Sequence, residues 1–128
     1  MRAQATSFYE LPTEHLFSPG VYIRKVFIPK GTYLVAKIHK HFHSNIIAQG
    51  KVLTVTEFGI ETHEAYTMFN SPAGTKRALA ALEDTIWCCV HTNPDNITDP
   101  VALEDFNIAK SYTELGMEDP VLQLEGVE

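Results

Sequence analysis

The sequence predicts an all-β domain, a small β-barrel or jelly roll that carries a short helical segment near its C-terminus. Three observations lead to this fold class. About seven short apolar or alternating runs lie between residues 21 and 91, with turn residues between them. Two of these turns have a Pro-x-Gly pattern, Pro29-Lys30-Gly31 and Pro72-Ala73-Gly74. Helical spacing of apolar residues begins only after the last run, beyond Asp99.

The predicted strands are bounded by glycine, proline and acidic turn residues. The first strand covers residues 21–28, and the second covers residues 33–43 with an extension over 46–48. Gln49-Gly50 turns into the third strand, residues 51–58, and residues 59–64 are predicted to form a loop. The remaining strands are residues 65–70, 76–82 and 85–91, of which 76–82 is equally compatible with a short helix because it is rich in Ala and Leu.

The C-terminal part is predicted to be helical over residues 100–110. Asp99 suits an N-cap and Pro100 suits the first helical position, while Val101, Leu103 and Phe106 recur at roughly helical spacing. A second short turn is expected at residues 111–115. The chain therefore divides into an N-terminal arm (residues 1–20), a barrel (21–92) and a C-terminal helix with an acidic tail (93–128).

Composition excludes several classes of protein. A chain of 128 residues is the size of one domain and is long enough to bury its own core. Its 10 Lys and Arg against 16 Asp and Glu give a net charge of −6, which argues against general nucleic-acid binding. No apolar run reaches the roughly 20 residues of a membrane helix, and the first ten residues lack the apolar stretch of a secretory signal. With Cys88 and Cys89 read as reduced thiols, we expect a cytoplasmic protein without membrane or nucleic-acid partners.

Four histidines are the candidate functional residues. His39, His41 and His43 alternate within one predicted strand, so their side chains are expected on one face, and Asn45 continues that face. His91 ends the last predicted strand. Imidazoles that converge inside a barrel can bind a metal, act as bases or donate hydrogen bonds to a ligand. The alternative is a row of solvated histidines on the outside, and the flanking residues do not decide between the two faces.

Four segments of the predicted barrel stand out by their order and spacing. They are the turn from Ile28 to Thr32, followed by three motifs: His39-Lys40-His41-Phe42-His43-Ser44-Asn45, Ser71-Pro72-Ala73-Gly74-Thr75-Lys76-Arg77, and Leu82-Glu83-Asp84-Thr85-Ile86-Trp87 with His91. Over about residues 21–91 the chain thereby resembles the cupin superfamily, and more narrowly the small cupin-like proteins encoded by bacteriophages and prophages. The resemblance implies a cupin-type barrel, and a phage-encoded protein of this kind would act in the host cytoplasm.

The departures from the cupin motifs bear on function. No Glu lies between His41 and Gly50, and Arg77 and Ala81 stand where the second motif has its His and Asn. Arg is always charged and is not an ordinary metal ligand, so a standard metal-dependent cupin is not favoured, and no cofactor is expected. A divalent metal held by His39, His43 and His91 is kept as an alternative.

Arg77 instead suggests an anion-binding pocket, because its planar fork suits carboxylate and phosphate groups. The predicted ligand-binding residues are His39, His41, His43, Asn45, Lys76, Arg77, His91 and, as stacking surfaces, Trp87 and Tyr33. We therefore predict a non-catalytic protein that binds a small anionic, nucleotide-like molecule, with the capture of a host defence signal by a phage protein as one concrete role. The alternatives are a metal-dependent cupin enzyme and a structural component of a virion or its assembly. The apolar residues of the N-terminal arm, among them Leu16 and Phe17, predict a homo-oligomer and most simply a dimer.

Overall fold

The computed structural model describes residues 11–36 and 38–109, and it places them in eleven strands and one helix. The elements are β1 (Thr13–Ser18), β2 (Gly20–Ile28), β3 (Tyr33–Val35), β4 (Ile38–His39), β5 (His43–Gln49), β6 (Lys51–Thr56), β7 (Gly59–Glu64), β8 (Met68–Ser71), β9 (Ala78–Ala81), β10 (Thr85–Asn93), α1 (Pro100–Asn107) and β11 (Ile108–Ala109). The predicted all-β class with a short helix is confirmed.

The strands form two main antiparallel sheets. One sheet has five strands in the order β1-β2-β10-β5-β8, and the other has four in the order β3-β9-β6-β7. A two-stranded sheet joins β4 to β11, the strand that follows the helix. Most neighbouring strands are distant in the chain, so the architecture is a small β-barrel of the jelly-roll kind.

The inner face of the five-stranded sheet changes from apolar to polar along its strands. Buried positions alternate along β2, β5 and β10, as expected for strands with one face toward a core. At one end the buried side chains are apolar: Val26, Ile28, Ile47 and Trp87. At the other end they are polar: Tyr22, Arg24, His43, Asn45 and His91. The apolar end forms the core, and the polar end is free to form a binding site.

The core consists of side chains from both sheets. Val26, Ile28 and Ile47 of the five-stranded sheet pack with Leu34, Val52 and Leu79 of the four-stranded sheet. Each of these six residues is at most 1% exposed. At ~25 cal/mol per Å² of apolar surface, a fully buried Leu or Ile contributes roughly 1.5–3 kcal/mol, so this end of the barrel is a rigid base for the polar end.

The helix is fixed at both ends. The Asp99 side chain accepts a hydrogen bond from the Ala102 amide at 2.9 Å, which confirms the predicted N-cap. At the C-terminal end, the Lys40 amide donates to the Asn107 carbonyl at 2.7 Å and His41 Nε2 lies 3.0 Å from the Phe106 carbonyl. The helix is therefore held against the segment that connects β4 to β5.

Several predicted elements were wrong. Residues 33–43 do not form one strand but β3, β4, a bend and the start of β5. Residues 13–18 belong to β1, which pairs with β2 along its whole length, rather than to an irregular arm. Residues 59–64 are the strand β7 rather than a loop, because they pair with β6 from Lys51 to Thr56.

Other predictions differ only at the element ends. The strand expected at 65–70 begins at Met68, and the segment 76–82, which was also compatible with a helix, is the strand β9 over Ala78–Ala81. The predicted turn at 111–115 and the acidic tail lie outside the described residues. No helix among the described residues is long and apolar enough to cross a membrane.

Candidate functional site

The polar end of the barrel contains a cavity of about 450 Å³. It lies between the inner face of the five-stranded sheet and helix α1. Its polar wall is formed mainly by His15, Tyr22, Arg24, His39, His91 and Glu104, and its apolar wall includes Phe17, Val101 and Leu103. The volume lies within the roughly 300–1,000 Å³ that is usual for small-molecule sites.

Three histidines converge beside this cavity. His39 lies on β4, His43 begins β5, and His91 lies near the end of β10. One nitrogen from each ring lies within 4.8 Å of the corresponding nitrogens of the other two. The ring centroids are 4.3 Å apart for His39 and His43, 4.9 Å for His43 and His91, and 5.3 Å for His39 and His91. We refer to His39, His43 and His91 as the histidine triad.

The triad is uncharged at neutral pH. Burial lowers the pKa of His43 to about 4 and the pKa of His91 to about 3, and it lowers the pKa of His39 well below its usual value. Mutual repulsion between the imidazoles adds to the effect for His39 and His91. Each ring therefore offers one N–H donor and one lone pair.

Two arginines flank the triad, one on each side. Arg24 of β2 lies opposite Cys89 of β10 in the sheet register and lines the 450 Å³ cavity. Arg77 lies deeper and lines a small inner chamber. Their positive charges lower the pKa of His39 further, after burial and the other two imidazoles. The electrostatic potential at the triad is therefore positive from two directions.

Cys89 does not compensate these charges. Its side chain is buried between the two arginines, lines both the large cavity and the inner chamber, and is 4% exposed. Burial raises the pKa of its thiol to about 12, although Arg24 and Arg77 act in the opposite direction. The thiol stays protonated and neutral at physiological pH, so it brings no negative charge to the site.

An aromatic stack continues outward from the triad. The His91 ring stacks on the Tyr22 ring at 5.8 Å between centroids, and the Phe17 ring stacks on the same Tyr22 ring at 5.2 Å. The Tyr22 hydroxyl lies 2.7 Å from His15 Nδ1, which fixes the phenol in place. The wall of the cavity is therefore a rigid surface on which a planar ligand can stack.

The triad also fits a divalent metal in the type and number of its donors. Three uncharged imidazoles are a known zinc ligand set. His43 Nδ1 lies 3.5 Å from the His41 carbonyl oxygen, a contact that favours a lone pair on Nε2. The surrounding charge does not favour a cation, because Arg24 and Arg77 repel it and the triad includes no carboxylate. A metal would therefore bind here most stably together with an anion.

The structure brings some of the predicted residues together and separates others. His39, His43 and His91 meet as predicted, and Asn45, Arg77 and Trp87 lie directly below them around the inner chamber. His41 points away, toward α1, where its ring contacts Phe106 at 4.6 Å. Tyr33 packs against Val55 and Ala78, and neither it nor Lys76 lines either cavity. The roles of the predicted ligand-binding residues remain predictions.

Arg24 and Tyr22 line the cavity but are not among the residues that the sequence predicts for the site. Both belong to β2, in which the inward row (Tyr22, Arg24, Val26, Ile28) and the outward row (Val21, Ile23, Lys25, Phe27) contain similar numbers of apolar and charged residues. Alternation therefore could not decide which cation faces the barrel. The one available signal was the adjacent pair Arg24-Lys25, since one of two neighbouring strand residues must point inward.

Comparison with known proteins identifies the fold. No protein-family profile matches the chain, and no curated protein matches it in sequence. Solved structures do match. A cupin superfamily protein from Desulfitobacterium hafniense superposes with a TM-score of 0.56 at 14% identity, over 72% of this chain and 83% of that one.

Two further structures agree. Ectoine synthase from P. lautus gives a TM-score of 0.60 at 15% identity, over 73% of this chain and 69% of that one. The Schizosaccharomyces pombe Cnp3 cupin domain gives 0.55 at 18% identity, over 86% and 74%. The protein therefore has a cupin fold, in which a histidine triad lies beside an open cavity and between two arginines. At these identities the likeness concerns the fold, and the function must be argued from the site.

Proposed function

We propose that the protein is a non-catalytic binding protein that captures a small anionic molecule in the 450 Å³ cavity. The observation that carries this proposal is the position of the Arg24 and Arg77 guanidinium groups beside the neutral triad, where their charges lower the pKa of His39 and the protonated Cys89 adds no negative charge. An anion lowers the electrostatic free energy of such a site, whereas a cation raises it.

Arg24 supplies the principal contact in this proposal. Its side chain is only 6% exposed, so a charge-assisted hydrogen bond to a phosphate or carboxylate is shielded from water and contributes roughly 1.5–3 kcal/mol. The neutral imidazoles of His39 and His91, which also line the cavity, can each donate one N–H to the same anion. Glu104 on the opposite wall suits a hydroxyl or amino group of the ligand rather than its anionic part.

A nucleotide-like ligand satisfies both parts of the cavity. Its phosphate would meet Arg24, and its base would stack on the Phe17 and Tyr22 rings, which lie nearly parallel at 22°. The resemblance of the His39–Asn45 and Ser71–Arg77 motifs to small phage-encoded proteins supports a specific role, the sequestration of a nucleotide signal of host defence. A binding protein without a turnover reaction suffices for that role.

Calorimetric titration tests the proposal with adenosine 5′-monophosphate and adenosine as probes. We expect the monophosphate to bind and adenosine to bind at least tenfold more weakly, because adenosine lacks the anion. Arg24→Gln should weaken monophosphate binding ten- to a hundredfold, since ~1.4 kcal/mol corresponds to a factor of ten. Lys25→Gln is the matched control: Lys25 is the next residue on β2, but it is exposed on the outer face, where it pairs with Glu14 at 3.5 Å.

Two results would contradict the proposal. Equal affinities for adenosine and its monophosphate would mean that the positive potential does not select the ligand. Equal losses in Arg24→Gln and Lys25→Gln would mean that net charge, rather than a contact in the cavity, controls binding.

A metal-dependent cupin is the second candidate, favoured by the convergence of three neutral imidazoles within 4.8 Å. In that case His39, His43 and His91 would hold the ion, which would act as a Lewis acid toward a bound anion. Elemental analysis of untagged protein purified without chelator distinguishes the candidates. Stoichiometric metal that is lost in His43→Gln favours the enzyme, whereas absence of metal together with monophosphate binding favours the binding protein.

A further inference from the structure

A second chamber lies below the triad, deeper in the barrel than the main cavity. Its volume is about 20 Å³. A cavity of this size holds one water-sized particle. Arg77, Asn45, Thr75 and Trp87 contribute to its wall and do not line the main cavity.

Arg77 is the charged group of this chamber, and its hydrogen bonds are incomplete. Its Nη2 donates to Ser71 Oγ at 2.9 Å. Its Nε is buried and has no hydrogen-bond partner among the described residues. The same part of the chain places no carboxylate within ion-pair distance of the guanidinium, which lies instead 5.3 Å from the Phe69 ring centroid and 5.6 Å from that of Trp87. A buried charge with an unused donor is unfavourable unless an acceptor binds there.

The neighbouring side chains do not supply that acceptor. Ser71 Oγ already accepts from Asn45 Nδ2 at 2.9 Å as well as from Arg77. Asn45 Oδ1 accepts from Trp87 Nε1 at 2.9 Å. The Thr75 hydroxyl donates to the Pro72 carbonyl at 2.7 Å. The imidazoles of His39 and His43 also line the chamber, but neither accepts a hydrogen bond from Arg77 Nε, which stays without an acceptor among the described residues.

We propose that the inner chamber binds one monatomic anion of chloride size, held by Arg77 Nε. A space of about 20 Å³ suits a single halide better than the larger phosphate or sulfate ion. A halide supplies both the missing acceptor and the missing negative charge, whereas a water molecule supplies only the acceptor. Burial lowers the pKa of Arg77, which is the expected effect of removing this charge from water without a counterion. The proposal goes beyond ligand capture in the main cavity and does not depend on it.

Trp87 makes the chamber observable, because it is the only tryptophan of the chain and lines the chamber wall. It is 2% exposed, so a quencher in bulk solvent rarely reaches it. A bromide ion bound at Arg77 would lie beside the indole and quench its fluorescence by the heavy-atom effect. Sodium bromide titration at constant ionic strength, balanced with sodium sulfate, should therefore give a saturable curve that sodium chloride reverses.

Four variants locate the ion. Arg77→Gln should reduce the apparent bromide affinity at least tenfold. Arg77→Lys should do the same, because it keeps the charge but loses the Nε donor, and it serves as the test if Arg77→Gln does not fold. Arg24→Gln, in the main cavity, and Lys25→Gln, on the outer face, should both retain the saturable curve.

Three results would overturn the proposal. A linear, non-saturating response in the wild-type protein would mean collisional quenching alone. Retention of the saturable curve in Arg77→Lys would mean that Nε is not the donor. Loss of the curve in Arg24→Gln would place the halide in the main cavity. None of these outcomes depends on whether the monophosphate binds.

Discussion

Acid should destabilise this protein at a pH well above the range in which carboxylates titrate. The folded state keeps the triad uncharged, with a pKa of about 4 for His43 and about 3 for His91, whereas a histidine in the unfolded chain has a pKa of about 6.5. Below pH 6.5 the unfolded chain thus binds more protons than the folded protein. Stability is fully present above about pH 6.5 and falls as the pH decreases toward 4.

The magnitude follows from the same values. At pH 5, which is about 1.5 units below the unfolded pKa of 6.5, protonation of one such histidine stabilises the unfolded chain. At ~1.36 kcal/mol per unit this lowers the free energy of unfolding by roughly 2 kcal/mol. His43 and His91 together therefore lower the free energy of unfolding by about 4 kcal/mol between pH 7.5 and pH 5, and His39 acts in the same direction. This is a large part of the roughly 5–15 kcal/mol that stabilises an ordinary domain.

Urea unfolding followed by Trp87 fluorescence at pH 7.5, 6.0 and 5.0 measures the effect. His91→Gln should reduce the loss between pH 7.5 and pH 5 by about 2 kcal/mol, because one titrating imidazole is gone. Lys25→Gln is the matched control: it alters an exposed residue on the outer face of β2 and leaves all three imidazoles in place, so the loss should be as large as in the wild type. Equal stability of the wild-type protein at pH 7.5 and pH 5 would refute the reasoning, since it would mean that the triad is not buried in its neutral form.

Three further predictions concern the backbone, the metal and the oligomeric state. Gly50→Ala should lower the free energy of unfolding by about 3 kcal/mol or more, because an added Cβ would overlap the Asp84 carbonyl oxygen. Gly31 has the same φ of +88° but open space around it, so Gly31→Ala should lower the free energy of unfolding by only about 1 kcal/mol. Equal losses for the two variants in urea titrations would contradict this prediction. Exhaustive chelation should leave the melting temperature unchanged, because the apolar core is sufficient for folding, and a decrease of ~10 °C would instead indicate a bound metal that stabilises the fold. We propose a homodimer that covers the β1 edge, where Leu16 is 59% and Phe17 40% exposed; a monomeric mass by light scattering at micromolar concentration would refute it.

The parts of the fold that depend on local chemistry could be predicted from the sequence. The Pro-x-Gly turns, the strand that contains Trp87 and the Asp99 N-cap each follow from residues that lie within a few positions of one another. The edge strand β7 could not be predicted, because its six residues are mostly exposed and form a strand only through pairing with β6.

The candidate site was predictable only in part for the same reason. The sequence predicts a single strand from His39 to His43, which would place His41 beside the other two histidines. The strand is interrupted because Lys40 and His41 bond to the end of α1, more than 60 residues later in the chain. No local pattern contains that contact. The interruption turns His41 outward and leaves His39 and His43, four residues apart, on the same side.

The triad also links parts of the chain that are far apart in sequence. His39 belongs to the small sheet formed with β11, whereas His43 and His91 belong to the five-stranded sheet, and 52 residues separate His39 from His91. A ligand that contacts all three rings would act as a reversible cross-link between the two ends of the segment from His39 to His91. Unlike a disulfide, this cross-link would depend on the ligand concentration. Because the ligand would bind only the folded arrangement of the three rings, it would stabilise the folded state in proportion to its occupancy. The protein's lifetime against proteolysis would then report how much of the ligand the cell contains.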